Sequence, residues 1–403
     1  MTIDVLQTTL ATSVKSDPIL RPKILISANT SWNICNFRTG LIGTLVEQGY
    51  EVVAAAPLDA YSPRLKEMGC RHLPMPMDNK GASPFSDFGL FLSYLRLLGR
   101  ERPDIYLGYT IKPNVYGSLA AHWRYVPTVT NVSGLGTAFI HDSFLTGFVK
   151  ALYRLSLRSS QTVFFQNEDD LNLFVDLKLV QPEQTALVPG SGVDLEQFYP
   201  KKTVSPQSGA PCFLLSARLL WDKGVGEFVD AARIVKTRFP DARFQLLGFL
   251  DAENRTAIPK ATVDEWVREG IVEYLGVTDD VRPYIAASDC VVLPSYREGT
   301  PRTLLEAAAM AKPLITTDVP GCREVVDHGK NGFLCEVQNS ADLAQKMLNF
   351  IDLCDEERIR MGQASRIKVE REFDENFVIQ SYLETIKEIL KLKEQRLAAL
   401  AYS

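Results

Sequence analysis

Short apolar runs alternate with longer mixed segments along most of the chain. Residues 1–20 combine Thr, Ser and Asp without a sustained period, and Lys23 to Ala28 is then a compact apolar run that reads as a buried strand. Order is expected to begin near Pro22, with residues 1–20 disordered. Strand-like runs recur at Glu51 to Ala56, Asp104 to Tyr109, Pro127 to Val132, Thr162 to Gln166 and Ala186 to Pro189, each followed by a longer segment or a turn. A second series opens at Cys212 to Ser216 and continues through Arg243 to Gly248, Val272 to Gly276, Cys290 to Pro294, Pro313 to Thr317 and Gly332 to Cys335. This rhythm predicts βα units, parallel sheets and an α/β fold of two similar Rossmann-like halves.

The boundaries follow from where the pattern stops. Residues 21–200 form the first domain, the Ser-, Pro- and Lys-rich stretch 201–211 a linker, and residues 212–373 the second domain. The tail, 374–403, carries Phe377, Val378, Leu383, Ile386 and Leu390 among charges, a helical pattern long enough for about six turns that can bridge the two halves. Open parallel sheets place ligands at the carboxyl ends of their strands, so two facing sheets would form a cleft between domains.

Composition narrows the classes of function. The 403 residues include 46% apolar ones, enough for two cores. Lys and Arg total 44 against 49 Asp and Glu, a formal charge of −5, so no global positive field exists to hold a nucleic acid. The seven cysteines are widely spaced and contain no C-x-x-C, which argues against a disulfide framework or a thiolate zinc site and fits a reducing cytoplasm. Neither a signal peptide nor a run of about 20 apolar residues is present, so contact with a membrane is expected to be peripheral.

Chemistry concentrates in two strand-to-helix loops. In CVVLPSYREGTPRTLLEAAAMAKP, residues 290–313, a strand ends at Pro294 and a helix begins after a polar turn, with Thr300 suited to the N-cap and Pro301 to the first helical position. Glu298 then precedes the helix and Glu306 sits on its second turn, so both carboxylates can face one ligand. Backbone N–H groups around Arg302, Thr303 and Leu304 lie at the positive end of the helix dipole, which suits a phosphate. In FLLSARLLWDKGVGEF, Arg218 and Lys223 flank one turn. Each alone reads equally well as a surface cation. Together they can stabilise a departing diphosphate, whose negative charge grows as its bond to a sugar breaks.

These residues resemble the family-4 retaining glycosyltransferases of GT-B fold, in which two Rossmann-like domains face across a cleft. Glu298 and Glu306 reproduce their E-x7-E element, and Arg218 with Lys223 their basic pair. The similarity runs from about Lys23 to the final helix and includes SWNICNFRTGL at 31–41, KPNVYGSLAA at 112–121, NVSGLGTAF at 131–139 and GVDLEQFYP at 192–200. It is closest to bacterial members that extend lipid-linked oligosaccharides for capsule, exopolysaccharide or protein glycosylation.

The resemblance implies a role for each matched position. Glu298 takes donor-sugar hydroxyls and Glu306 the ribose hydroxyls, while Arg218 and Lys223 grip the diphosphate with help from Gly299, Thr300, Arg302, Thr303 and Leu304. The base lies against Leu275 and Gly276. Transfer retains configuration, needs no metal or other cofactor, and uses a nucleotide-sugar co-substrate, expected to be a UDP-sugar. The implied acceptor is a polyprenyl-diphosphate-linked glycan at the inner face of the cytoplasmic membrane.

The first domain departs from the family pattern. Many members carry a histidine after the strand that here ends near Asn131, whereas this chain has Asn131, Val132 and Ser133, and its histidines, His72, His122, His141 and His328, fall elsewhere. Either the backbone at Gly134 and Gly136 takes that role or the geometry differs, and G-L-G is also an ordinary turn. It is not a G-x-G-x-x-G fingerprint, which disfavours a nicotinamide enzyme. Ser31 and Trp32 follow the first strand and can face the cleft, and Asn36 suits the N-cap of a helix containing Gly40 and Gly43.

Residues 144–158, FLTGFVKALYRLSLR, set Lys150, Arg154 and Arg158 on one helical face beside Phe144, Phe148, Leu152 and Leu155. That face is either an ordinary solvated one or a contact with anionic lipid. Two rivals to the transferase remain open: a UDP-sugar 2-epimerase on the same two-domain plan, and a non-catalytic nucleotide-sugar-binding subunit of a polysaccharide assembly complex.

Overall fold

The computed structural model describes residues 21–77, 84–134, 144–200, 210–250 and 256–401. The N-terminal stretch 1–20, most of the expected linker, and Gly136 and His141 lie outside the described residues.

Strands β1 (Lys23–Ser27), β2 (Glu51–Ala56), β3 (Arg71–Pro74), β4 (Ile105–Tyr109), β5 (Thr128–Val132), β6 (Thr162–Phe165) and β7 (Thr185–Leu187) form one parallel sheet in the order 3-2-1-4-5-6-7. A second holds β8 (Cys212–Ser216), β9 (Arg243–Leu247), β10 (Glu273–Tyr274), β11 (Cys290–Leu293), β12 (Leu314–Thr317) and β13 (Gly332–Cys335) in the order 10-9-8-11-12-13. The central strands are near-continuous apolar runs because helices cover both faces, as parallel sheets require. The periodicity missed β3, whose sequence RHLP has no buried residue and pairs only with β2 at the sheet edge. The expected run Val272 to Gly276 shrinks to the two-residue edge strand β10 for the same reason, although Leu275 N still donates to Leu246 O at 2.8 Å.

Strand order reverses direction between β1 and β4 in the first sheet and between β8 and β11 in the second. At such a point the connections leave to opposite sides, and a crevice opens at the carboxyl ends of the two strands. Both predicted motifs of the second domain follow strands that flank its switch point.

The C-terminal helix, Glu375–Ala401, returns to the first domain. Val378, Ile379, Tyr382, Leu383, Ile386 and Ile389 join the buried cluster of Ile24, Leu41, Ile42 and Leu45. Phe377, expected on the apolar stripe, is 46% exposed, because the buried stripe runs through Ile379 and Tyr382 instead. The two crossings between domains run side by side: Val193 N donates to Phe373 O at 2.9 Å and Glu375 N to Val193 O at 3.1 Å. Among the described residues no helix is long and apolar enough to cross a membrane.

Candidate active site

The turn after β8 and the loop after β11 are stitched together before any side-chain chemistry begins. Tyr296 N donates to Asp222 O at 3.0 Å, and the Tyr296 hydroxyl donates to Glu227 Oε1 at 2.7 Å. Gly224 ends the short 3₁₀ turn Trp221–Lys223 with φ of 71°, and a Cβ there would collide with the Pro294 carbonyl. That close approach delivers Lys223 to Glu298. Lys223 Nζ donates to Glu298 Oε1, and Ser295 Oγ donates to the same oxygen at 2.7 Å. Both charged side chains are largely buried, so the attraction is weakly screened by water.

The other half of the basic pair sits differently. Arg218 is exposed and makes no ion pair among the described residues. A partnered ammonium and an exposed guanidinium therefore border the same turn.

The helix Arg302–Ala309 starts one residue later than expected, with extended Pro301 in the capping position. Thr300 does not cap it: the hydroxyl donates instead to the carbonyl of Gln166 in the first domain, at 3.1 Å. Leu304 N donates to Pro301 O at 3.0 Å, so among the three amides anticipated for a phosphate it is already used, while Arg302 and Thr303 stand in the positions that lack intrahelical acceptors. The Thr303 hydroxyl is buried without a partner beside them. Arg302 Nε donates to Glu306 Oε1 at 2.8 Å and its guanidinium lies 5.6 Å from the Phe37 ring centroid, across the cleft. Burial pushes the Glu306 carboxyl above its ordinary range, and the Arg302 charge opposes that shift. Leu275 packs against the apolar core under this region and Gly276 O accepts from Gly248 N at 2.9 Å.

On the first-domain side the assignments divide. Trp32 stands at the cleft, edge-on to Phe37 at 5.5 Å and to Phe249 of the second domain at 6.4 Å. Ser31 does not face it: the side chain is fully buried, donating to Pro57 O at 2.9 Å and lying 3.0 Å from Ser62 Oγ. Asn36 is inside the helix Ser31–Phe37, donating to Trp32 O at 2.9 Å, and Thr30 is the cap, accepting from Asn33 N at 3.0 Å. Asn131 is buried too, its amide donating to the Tyr382 hydroxyl at 3.0 Å and accepting from Gln166 at 3.3 Å. Ser133 and Gly134 press their backbone against Gly299 of the second domain. His72 and His328 are bonded to backbone groups at 3.0 Å each, and His122 is on the surface.

On the basic helix, Phe144–Leu157, Arg154 caps a neighbour, donating to Leu177 O at 2.9 Å and Lys178 O at 3.1 Å. It is therefore not a free surface cation. Lys150 is half-buried, Arg158 is exposed, and Leu155 is 59% exposed.

Four residues near the cleft went unread in the sequence. Gln166, Asn167 and Asp170 contact the loop that carries Glu298; the first reads only as the end of a strand, and the other two lie at the start of the helix Glu168–Asp176. Arg38 is 5% exposed, makes no ion pair among the described residues, and lies with its guanidinium 4.1 Å from the Tyr109 ring centroid. Nothing in the pattern around FRTG marks a buried arginine.

Two parallel α/β domains whose switch points face each other, with a carboxylate, an ammonium and an open helix start gathered on one side, define a GT-B glycosyltransferase. Sequence comparison agrees: the profile for the 4-like glycosyl transferase domain matches residues 38–190, and that for glycosyl transferases group 1 matches residues 210–352. The chain belongs to the family-4 bacterial glycosyltransferases. It is 29% identical over 375 residues, 89% of this chain and 96% of the other, to the N,N'-diacetylbacillosaminyl-diphospho-undecaprenol alpha-1,3-N-acetylgalactosaminyltransferase of Campylobacter jejuni. Identity is 25%, over 68% of this chain and 73% of the other, to an Escherichia coli UDP-Gal:alpha-D-GlcNAc-diphosphoundecaprenol alpha-1,3-galactosyltransferase. Among solved structures, Anabaena HepE in complex with UDP and glucose aligns over 91% of this chain and 100% of that one with TM-score 0.75 at 18% identity. A Rickettsia africae glycosyltransferase aligns over 92% and 99% with TM-score 0.74 at 20% identity.

Proposed function

We propose that this enzyme moves a hexose or N-acetylhexosamine from a UDP-sugar to a polyprenyl-diphosphate-linked glycan, with retention of configuration and without a divalent metal. One observation carries the reading: Lys223 and Glu298 meet at the β8/β11 switch point beside the open start of the Arg302 helix, where Thr303 holds a buried hydroxyl without a partner. A diphosphate there meets an ammonium, Arg218 and two free amides, and the sugar it carries lies against Glu298. Glu306 takes the ribose hydroxyls. The relatives named above support a lipid-diphosphate acceptor by analogy, and the UDP-Gal in the Escherichia coli relative's name supports a UDP-sugar donor.

In the reaction the bond between the anomeric carbon and the β-phosphate oxygen breaks. The acceptor oxygen bonds to that carbon from the same face, and its proton passes to the departing phosphate. The protein's part is electrostatic: Arg218, Lys223 and the helix start hold charge that grows as the bond opens, which lowers the barrier more than it tightens ground-state binding. Residues 21–200 then serve as the acceptor side, residues 212–373 as the donor side, and 374–403 as the bridge between them. A face bearing Lys150, Leu155 and Arg158 rests on anionic lipid at the inner surface of the cytoplasmic membrane, near the acceptor.

The test is a panel of radiolabelled UDP-sugars with polyprenyl-diphosphate glycans, with and without a chelator, and the anomeric configuration of the product read by NMR. Transfer should survive chelation and give the donor's anomer. Lys223→Ala should lower kcat about 10²- to 10³-fold, the usual loss on removing one preorganised charge-stabilising donor. A folded Lys223→Ala protein with unchanged turnover would sink the assigned role. Interconversion of UDP-sugars without any acceptor would identify an epimerase instead.

A further inference from the structure

The loop that carries Glu298 is gripped from the first domain at the residue before it and at the two that follow. Arg297 forms an ion pair with fully buried Asp170, and the Gly299 carbonyl accepts from Asn167 Nδ2 at 3.1 Å. Thr300 is held twice by Gln166: its N–H donates to Gln166 Oε1 at 3.0 Å, and its hydroxyl donates to the Gln166 carbonyl. Gly299 fits because it has no side chain, since a Cβ there would strike the Ser133 carbonyl and Gln166 Oε1. Between these fixed points Glu298 donates its own N–H to Pro320 O at 3.2 Å and presents its carboxylate to Lys223.

The hydrogen-bond order continues past Gln166. Because a backbone N–H can only donate, Gln166 must offer Thr300 its oxygen, which leaves its amino group to donate to Asn131 Oδ1 at 3.3 Å. Asn131 in turn donates to the hydroxyl of Tyr382 on the C-terminal helix at 3.0 Å, and its own carbonyl accepts from Asn114 at 2.8 Å. Gln166 is 9% exposed and Asn131 and Tyr382 are each 1% exposed, so the links are made where losing one strands a buried partner. Asn131 is thus one step of a line running from the bridging helix to the loop of Glu298.

We propose that Gln166, braced by Asn131, is a positioning residue for glycosyl transfer, setting where the Glu298–Thr300 loop and the start of the Arg302 helix stand relative to the first domain. This rests on the transferase reading above. The first domain holds the acceptor and the second the donor, so a shift of this loop changes the distance between the reacting atoms without removing any group that touches the nucleotide. Misplacement by about 1 Å costs on the order of 10²-fold in rate.

The test uses three variants of the full chain. Gln166→Met keeps the length and removes both hydrogen bonds, Gln166→Asn withdraws the amide by one methylene, and Gln166→Glu keeps an oxygen for the Thr300 N–H. Met and Asn should lower kcat at saturating donor and acceptor roughly 10- to 100-fold while the Kd for UDP stays within about threefold, and Glu, which keeps the Thr300 bond but turns an oxygen toward Asn131 Oδ1, should fall between them and the wild type. Amide exchange across residues 296–304, followed by mass spectrometry, should quicken in the Met and Asn variants and less in Glu. Full turnover and unchanged exchange in both Met and Asn would overturn the proposal. If the wild type itself transfers no sugar, the transferase reading has failed, and the exchange measurement still decides whether Gln166 holds the loop.

Discussion

Glu306 carries a charge that its surroundings oppose. Burial raises its pKa and Arg302 only partly restores it, so the folded protein keeps this proton to higher pH than the unfolded chain does. Well below the ordinary glutamate range both states are protonated and no penalty exists. As pH rises through that range the unfolded state ionises first, so stability falls until the folded carboxyl has ionised as well. Glu306→Gln should therefore melt at or above the wild-type temperature near pH 7, and the difference should vanish near pH 3, while transfer is lost. A variant that melts lower at neutral pH would show that the Arg302 pair outweighs burial. Retaining a carboxylate against its environment is what a hydroxyl-binding role demands, and stability alone gives no reason for it.

The C-terminal helix belongs, in packing, to the first domain, although the whole second domain lies between them in the chain. Ile386 is fully buried in the cluster built on β1 and the helix Thr39–Glu47, so its truncation should weaken the first domain rather than the second. Ile386→Ala should cost about 2–5 kcal/mol, the usual range for deleting a buried aliphatic chain. Hydrogen exchange resolved by segment should show the loss in β1 and β4 while β8 and β11 keep their protection. The helix pattern itself was plain in the sequence, but Phe377 was placed on the buried stripe because its neighbours suit a face that includes it. Which face is buried was decided by the first domain's surface, where Tyr382 meets Phe164 at 4.7 Å and Tyr109 at 5.9 Å.

The assembled molecule offers a lipid surface less than the helical wheel suggested. Arg154, although exposed, is engaged with the backbone at the end of the helix Glu168–Asp176, and Arg158 and Leu155 are exposed beside it. Each cation near an anionic bilayer contributes about 1 kcal/mol, so Arg158→Glu, a change of two charges, should weaken sedimentation with phosphatidylserine vesicles by roughly tenfold or more at low salt. Equal binding by the variant would remove this face from the proposed membrane contact. Between the domains, Tyr61 and Arg64 meet Asp279, and Arg323 meets Asp169, in exposed pairs of little energetic weight beside the buried Arg297–Asp170 contact.

Local pattern determined much of this protein. Apolar runs bounded by turns marked all but one of the strands, and the residues of the proposed donor site in the second domain could be singled out because each motif lies on one strand-to-helix loop. Contacts between chain segments far apart were not legible. Ser31 read as a cleft residue and is buried, Thr300 read as a helix cap and serves a carbonyl 134 positions away, and Gln166 read as the end of a strand. Hydrogen bonds of this kind leave no periodic trace, since their partners are chosen by how two separately folded sheets come to face each other, and only the tertiary structure decides that.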